Sequence, residues 1–276
     1  MNQAKIDSAI RILRLAEKQA EVYGEPVEIA YSGGKDSDVL LQLAKESGIQ
    51  YRAIYKNTTI DPPGTIKHVR ENGVEIRQPK ENFFTLIKKH GLPSFRFRFC
   101  CHYLKEYKIL NTAAWGVRAD ESVARKKRYT TFEFCRVYNK TSKVHVFAPI
   151  YDWTLQDVAD FITDRNVRLA AHYYTNDGTI DFKRRLGCQG CQLQSERGIG
   201  DFKANPALLR ATLRAMREWS KTHPRAMFAD EYELFAYRVF FKTTEEYLDA
   251  FKRQNLFAET PSAKEYIENF FNIKLP

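Results

Sequence analysis

Apolar positions along this chain change period several times, and each change marks an element. Ile6, Ile10, Leu13, Ala16 and Ala20 form the stripe of an amphipathic helix. Gly24-Glu25-Pro26 breaks it, and the short apolar run Val27–Tyr31 predicts a strand. Val39, Leu40, Leu41 and Leu43 give the apolar side of a second helix, ending near Glu46-Ser47-Gly48. Residues 51–55 predict a second strand, 65–72 a short helix stopped by Gly73, and 74–76 a third strand. A helix over 82–90 ends at Gly91-Leu92-Pro93, and 102–110 predicts another. Residues 113–117 read as a strand, while 130–137 and 143–147 alternate with period two, as in a hairpin around Asn139-Lys140-Thr141-Ser142. Thr154 with Asp157 predicts the capped start of a helix running to about Arg165. After about residue 201 the pattern is helical. Asn205-Pro206 starts one helix, Thr243 with Glu246 caps another, and Pro261-Ser262 opens a last.

Strand–helix–strand order implies right-handed crossovers and a parallel sheet. The expected fold is α/β: a parallel twisted sheet with helices on both faces, plus a C-terminal helical extension. The expected division is a nucleotide-binding domain over 1–200, carrying the paired cysteines, and the extension over 201–276. Ligands of such sheets sit at the carboxyl ends of the strands. That rule gathers Lys56, Asn57, Thr58 and Thr59 after one strand and Arg118, Glu121, Ser122 and Arg125 after another.

The stretch that organises the chain is YSGGKDSDVL, Tyr31 to Leu40, between the first strand and the second helix. Glycines let backbone approach a ligand, free N–H groups of a first helical turn point outward, and the helix dipole favours negative charge. Lys35 adds a point charge, and Ser32 and Ser37 add hydroxyl donors. Ser32, Gly33, Gly34, Lys35, Asp36 and Ser37 therefore form a candidate phosphate cradle, with Asp36 a candidate contact for Mg²⁺ or an orienter of the loop. The spacing is not that of the Walker loop, which places four residues between its first Gly and Gly-Lys-Ser/Thr. Arg118 and Arg125 are candidates for phosphate contacts because the guanidinium fork matches phosphate oxygens.

Net charge and cysteine usage extend the picture. At +10, with a pI near 9.3, the surface attracts polyanions, so a nucleic-acid partner is favoured. The charged N-terminus lacks the apolar core of a signal sequence and no run reaches the length of a membrane span, so a cytoplasmic protein without a membrane partner is expected. Four of the five cysteines fall in two tight pairs, Cys100-Cys101 and Cys188-x-x-Cys191, flanked by Arg and Lys. That usage argues for metal or redox chemistry rather than a disulfide framework. Four thiolates suit zinc or an iron–sulfur cluster, and ligand chemistry alone leaves the two about even. Cys135, without a cysteine neighbour, reads as a buried structural thiol.

SGGKDS at 32–37 resembles the PP-loop of the ATP pyrophosphatases, which cleave ATP between its α and β phosphates. The wider stretch 25–200 resembles the phosphoadenosine phosphosulfate (PAPS) reductase family, of the adenine nucleotide alpha hydrolase-like fold. The likeness rests on SGGKDS, NTTIDPPGTIKHVRENG at 57–73, RFCCHYLKEYK at 98–108, GVRADESVARKKR at 116–128 and APIYDWTLQDV at 148–158. It implies that Cys100, Cys101, Cys188 and Cys191 ligate a [4Fe–4S] cluster, as in cysteine-containing adenylyl-sulfate reductases, and so favours a cluster over zinc. Two departures stand out. Reductases of the family carry a catalytic cysteine in a C-terminal Glu-Cys-Gly-like motif, whereas no cysteine follows Cys191 here. They also usually lack the loop lysine that this chain keeps as Lys35.

Both departures point to ATP as substrate and to the phosphorothioation and tRNA-thiolation branch of the superfamily. The leading expectation is therefore an iron–sulfur enzyme that cleaves ATP to AMP and pyrophosphate, with Mg²⁺, to activate an acceptor such as DNA or tRNA for sulfur transfer. A cysteine desulfurase or other sulfur or electron donor, and a homodimer, are compatible partners. Two alternatives stay open. One is a sulfonucleotide reductase that uses an external thiol. The other is a non-catalytic nucleotide-binding regulator on nucleic acid. The sulfate adenylyltransferase small subunit also resembles the loop region but gives no reason for four cysteines.

Overall fold

The computed structural model describes residues 2–94, 96–128, 131–137, 143–194, 196, 198–225, 227–252 and 261–275, with backbone alone at 124, 125 and 128. In chain order the elements are α1 (Gln3–Glu21), β1 (Val27–Tyr31), α2 (Lys35–Ser47), β2 (Tyr51–Lys56), α3 (Thr65–Glu71), β3 (Glu75–Arg77), α4 (Phe83–His90) and α5 (Phe99–Leu104). They continue with β4 (Thr112–Trp115), α6 (Val123–Arg128), β5 (Glu133–Val137), β6 (Lys143–Phe147), α7 (Leu155–Asp164), α8 (Ile199–Ala204), α9 (Pro206–Thr222), α10 (Glu231–Val239), α11 (Thr244–Phe251) and α12 (Ala263–Phe271). Among the described residues no helix is long and apolar enough to cross a membrane.

The chain divides into two compact units. The first comprises Met1–Asn57, Asp61–Gln78 and Glu106–Gly187, and holds the sheet. Its strand order is β3-β2-β1-β4-β6-β5, parallel throughout except that β5 runs antiparallel to β6. From β1 the chain builds outward through β2 and β3, then returns to the other side of β1 as β4. The carboxyl ends of β1 and β4 thus flank the point where strand order reverses, the usual position of a ligand crevice in a parallel sheet. The antiparallel pair β5 and β6 bears out the period-two reading, while the connection expected around 139–142 lies outside the described residues.

Alternation along the strands divides two faces. Val27 and Ile29 pack with Leu13 of α1, Leu40 and Leu43 of α2, and Phe161 of α7. Tyr31 and Tyr55 join Leu41 and Val69, which brings α3 to the same layer. The opposite face carries Ala113, Val144 and Val146 with Ile109, Trp115 and Phe134. It also holds Glu28, only 1% exposed, whose Oε1 lies 3.0 Å from Lys56 Nζ. Burial pulls the Lys56 ammonium below its usual range, and the Glu28 carboxylate opposes that shift. Lys56, which the sequence pattern placed just past the strand, is instead the last residue of β2 and a structural partner on this face.

The same carboxylate explains one departure from the pattern. Helix is expected over 102–110, but α5 stops at Leu104. Leu110 N–H donates to Glu28 Oε2 at 2.9 Å, Tyr107 Oη donates to Arg77 O at 3.1 Å, and Arg77 donates to Lys108 O. These tertiary bonds hold the segment as an irregular run of bends, with Lys108 at φ +46°, in place of the helix its periodicity suggests. Cys135 departs as well. It lies on β5, an edge strand, and is exposed, with Sγ 3.7 Å from His145 Nδ1 across the β5–β6 pair.

The second unit comprises Thr58–Ile60, Pro79–Lys105 and Cys188–Pro276. The boundary does not fall near residue 200, because one core joins Leu86, Ile87 and Phe99 to Leu209, Met216, Phe235 and Ile267. The C-terminal helices consequently form one body with α4, α5 and both cysteine pairs. Their starts are capped as expected: Asn205 Oδ1 accepts from Leu208 N at 3.2 Å, and Thr243 with Glu246 and Ser262 with Glu265 close reciprocal boxes. Helix α10 was not anticipated, although Asp230, which accepts from Glu233 N, carries the same kind of start signal.

Removing the cation from the buried Glu28–Lys56 pair strands a carboxylate inside the first unit. Lys56→Met should cost about 3 kcal/mol of unfolding free energy in urea titrations, while Glu28→Leu/Lys56→Met should recover much of that loss.

Candidate functional site

The SGGKDS stretch occupies the turn from β1 into α2. Gly33 has φ +76°, and a Cβ there would meet Thr65 Cγ2 at 3.2 Å and Leu186 Cδ2 at 3.4 Å, so both conformation and space require glycine. Ser37 Oγ donates to Gly34 O at 2.7 Å and accepts from Ser32 N at 3.2 Å, with Ser32 Oγ at 3.2 Å. The two serines thus brace the loop across its mouth. Asp36 and Asp38 stand in the first turn of α2, where the helix dipole favours their charge.

Lys35 is 3% exposed. Its Nζ lies 3.4 Å from Arg184 O, 3.4 Å from Asp36 Oδ2, and 5.6 Å from the centroid of the Tyr173 ring. Its backbone N–H donates to Tyr173 Oη at 3.1 Å. Tyr173 closes the short 3₁₀ turn Ala171–Tyr173, and burial first of all pushes its phenol up to about 12, so it stays protonated. No motif announced Tyr173; chain folding alone places it at the loop.

Strand β4 approaches the same turn. A Cβ on Gly116 would stand 2.9 Å from Asp36 O, so the residue after the strand must be glycine for the helix start to seat. Two positions on, Arg118 is 3% exposed and its Nε donates to Asp36 Oδ1 at 2.6 Å. Its Nη1 reaches Asp120 Oδ2 at 3.3 Å and Trp153 O at 3.4 Å. The guanidinium therefore fixes Asp36, and its protein contacts are those of a group that orients the loop. Arg125 lies on α6, but its side chain is outside the described residues. An open cavity of about 660 Å³ lies between Ala119, Asp120, Ser122, Val123 and Lys126 and the stretch Tyr151 to Thr154, and none of residues 32–37 lines it.

A buried polar network supports the loop from below. Asp38 Oδ1 accepts from Tyr31 Oη and pairs with His68 Nε2 at 2.9 Å, while Asp38 Oδ2 is buried with no partner among the described residues. Burial raises the Asp38 carboxyl above the ordinary carboxylate range, against the lowering contacts from His68 and Tyr31. Burial likewise raises the Tyr31 phenol. His68 belongs to α3, whose first residue, Thr65, abuts Gly33, so the network ties α3 to both β1 and α2. Asn57, at the end of β2, donates to Gln78 Oε1 at 2.8 Å and its N–H reaches Arg77 O at 3.0 Å.

Thr58 belongs to the second unit, and its hydroxyl accepts from Cys188 Sγ at 3.5 Å. There it meets a thiol of the Cys188-x-x-Cys191 pair. Next to it Thr59 holds φ +66°, a strained conformation for a β-branched residue, while its Oγ1 accepts from Phe83 N at 2.9 Å. Ile60 O accepts from Gln189 N at 2.8 Å and pins the Cys188-x-x-Cys191 loop. Gly190 sits at φ +65°, its N–H on Asp201 Oδ2 at 2.9 Å, and a Cβ on Gly198 would fall 2.5 Å from Gly190 Cα. Two glycines are thus what let the loop fold back on itself.

Cys100, Cys101, Cys188 and Cys191 all lie partly buried in this unit, and Cys100 and Cys188 pack against its apolar core. The Cys100 thiol is raised by its bond with Cys101, by burial and by the charges of Cys101, Cys188 and Cys191. Cys191 is raised by burial and by Cys188 and Cys101, with Lys105 opposing. The two pairs therefore lie close enough to feel each other, and their chemistry, four soft donors in an apolar setting, fits a thiolate-bound metal group. Among the described residues no group of three or more His, Cys, Asp or Glu is already gathered as metal ligands.

Strand order, glycine turn and helix start together define an α/β protein with a glycine-rich loop, a candidate phosphate cradle, at its switch point. The sequence model of the phosphoadenosine phosphosulfate reductase domain matches residues 26–194. The chain belongs to that family. It is 32% identical over 111 residues to uncharacterized protein MJ0066 of Methanocaldococcus jannaschii, covering 38% of this chain and 23% of that one. It is 30% identical over 181 residues to uncharacterized protein MJ0973 of the same organism, covering 60% and 41%. The chain thus spans less than half the length of either relative. Among solved structures, PAPS reductase from Candida auris in its phosphate complex is similar over 68% of this chain and 98% of its own, at 20% identity and a TM-score of 0.44. The U34-tRNA thiolase NcsA from Methanococcus maripaludis, with its [4Fe-4S] cluster, is similar over 80% of each chain, at 16% identity and a TM-score of 0.39.

Asp38 gives a pH signature with a fixed sign. A carboxyl raised in the folded state keeps its proton while the unfolded chain loses one, so folding stability falls as pH rises above the ordinary carboxylate range. The difference in unfolding free energy between the native chain and Asp38→Asn should shift against the native chain over that interval. A pH-independent difference would show that Asp38 carries no such shift.

Proposed function

We propose that the chain cleaves ATP to AMP and pyrophosphate to activate an acceptor oxygen for sulfur transfer. The observation that carries this reading is the intact lysine loop at the start of α2, with Lys35 beside Asp36 and Asp36 held by Arg118 at 2.6 Å. An ATP pyrophosphatase must hold a β,γ-pyrophosphate leaving group, which needs a cation that sulfonucleotide binding does not. In this reading the acceptor oxygen attacks the α-phosphorus, the bond from that phosphorus to the bridging oxygen breaks, and pyrophosphate departs with the electron pair. A sulfur nucleophile then displaces AMP from the activated acceptor.

The residues of the chain divide that work. Gly33 and Gly34 bring backbone to the phosphates, Ser32 and Ser37 supply hydroxyl donors, and Lys35 neutralises the leaving group. Asp36 offers its carboxylate to Mg²⁺, and Arg118 holds it in place. Asn57 and Arg125 belong to the same proposed nucleotide site. Cys100, Cys101, Cys188 and Cys191 are the residues that would hold a [4Fe–4S] cluster, with Thr58 against Cys188. When bound, such a cluster supplies a place to carry or position sulfur. Family membership supports a second reading, reduction of a sulfonucleotide with an external thiol, for which sulfite release is the diagnostic product.

Two measurements test the proposal. With ATP, Mg²⁺ and acceptor, AMP and pyrophosphate should appear, and Lys35→Met should reduce their formation at least about 100-fold with far-ultraviolet dichroism unchanged. Formation of ADP alone, or of sulfite from adenylyl sulfate, would sink it. Anaerobically purified protein should be brown with about four irons per chain, and Cys188→Ser should lose the colour; a colourless zinc protein would remove the cluster.

A further inference from the structure

Between Pro79 and Lys105 the second unit carries Lys80, Lys88, Lys89, Arg96, Arg98 and Lys105 against a single acidic residue, Glu81. Among these cations stands a cluster of rings that the core does not use. Phe99, on the same stretch, is 3% exposed and belongs to the core, whereas Phe97 is 52% and Tyr103 45% exposed. Both rings are organised. The half-buried His90 ring, at the end of α4, stacks on Tyr103 at 5.5 Å between centroids and 17° between planes, and Phe97 meets it edge-on at 6.0 Å. The Phe97 backbone is fixed by reciprocal bonds with Ser94, at 3.1 and 3.2 Å. Arg96 and Arg98 flank Phe97 in the chain, and all three residues are exposed.

A hydrophobic residue held outward at a fixed angle, beside guanidinium groups and with its ring partly stacked, has lost the usual reason for exposure. An apolar protein partner would match the rings but set a dry surface against the exposed guanidinium groups, and a simple anion would match the cations but not the rings. A nucleic acid with an unpaired base matches both: the base stacks on the aromatic face and its phosphates meet the arginines. Unpaired, splayed bases are characteristic of RNA loops and bulges. We infer that Phe97, Tyr103 and His90, with Arg96 and Arg98, form a docking surface for an unpaired base of a folded RNA. The inference deepens the reading of an acceptor-activating enzyme by naming the acceptor's class, and Tyr103 places the surface partly on α5, the helix that carries Cys100 and Cys101.

The test is binding of the full chain, without ATP, to a fluorescein-labelled RNA hairpin whose loop is unpaired, to the same loop sequence closed into a duplex, and to single-stranded DNA of that sequence. The hairpin should bind most tightly. Phe97→Ala and Tyr103→Ala should each weaken it at least about fivefold, Phe97→Trp should retain it, and Arg96→Gln should reduce the slope of log K against log salt by about 0.7. Unchanged hairpin affinity in Phe97→Ala/Tyr103→Ala would overturn the inference, as would equal or tighter binding of the DNA. So would loss of a dimer in sedimentation of that variant, which would make a second copy of the chain the occupant. Because no nucleotide is present, failure here leaves ATP cleavage untested by it, and failure of ATP cleavage leaves the RNA measurement standing.

Discussion

The geometry of the glycine-rich loop after β1 depends on how closely the exit of β4 approaches the first turn of α2. Parallel pairing sets Ala30 opposite Trp115, so the residues that follow each strand emerge side by side. Contact between Gly116 and the Asp36 carbonyl is then so tight that no side chain fits, and Arg118 closes over the junction onto the Asp36 carboxylate. With Asp36 fixed, Lys35 and Ser37 on either side of it have little freedom left. The loop's geometry is therefore a property of two strands and a helix start together, which is why a six-residue motif implies a site only when a sheet of this order surrounds it.

Much of the first unit is legible in the sequence because local and tertiary preferences agree there. The short apolar run Val27–Tyr31 became β1, the period-two runs became the β5–β6 pair, and Gly48 ended α2 in the left-handed conformation expected of a C-terminal glycine. The phosphate-loop residues and Arg118 came together as the strand-end rule requires. What failed did so where a long-range partner overrode the local signal. Lys56, expected just past its strand among the ligand-side residues, ends β2 and is claimed by buried Glu28, and the same carboxylate accepts from Leu110 N–H where helix was expected over 102–110. Tyr173, Asp38 and His68 shape the loop through contacts that no spacing in the sequence encodes.

The cysteines show the complementary case. Their pairing was plain in the sequence, but their domain was not, because the segment 79–105 interrupts the sheet-forming sequence and joins its core to helices more than a hundred residues later. Thr58 makes the point at single-residue scale. One position after Asn57 the chain changes unit, and the Thr58 hydroxyl accepts from a thiol of the second unit. Strain at Thr59 accompanies that change and is held by its bond with Phe83.

The Arg184 carbonyl that meets Lys35 stands four positions before Cys188 in the chain. Leu186, between them, rests on Gly33. A ligand that recruits the Lys35 ammonium competes directly with that carbonyl, and one that takes the Lys35 N–H competes with the Tyr173 hydroxyl. The loop's lysine and its first glycine are thereby both held by one short peptide of the first unit, Arg184 to Leu186, so freeing either residue means moving that peptide.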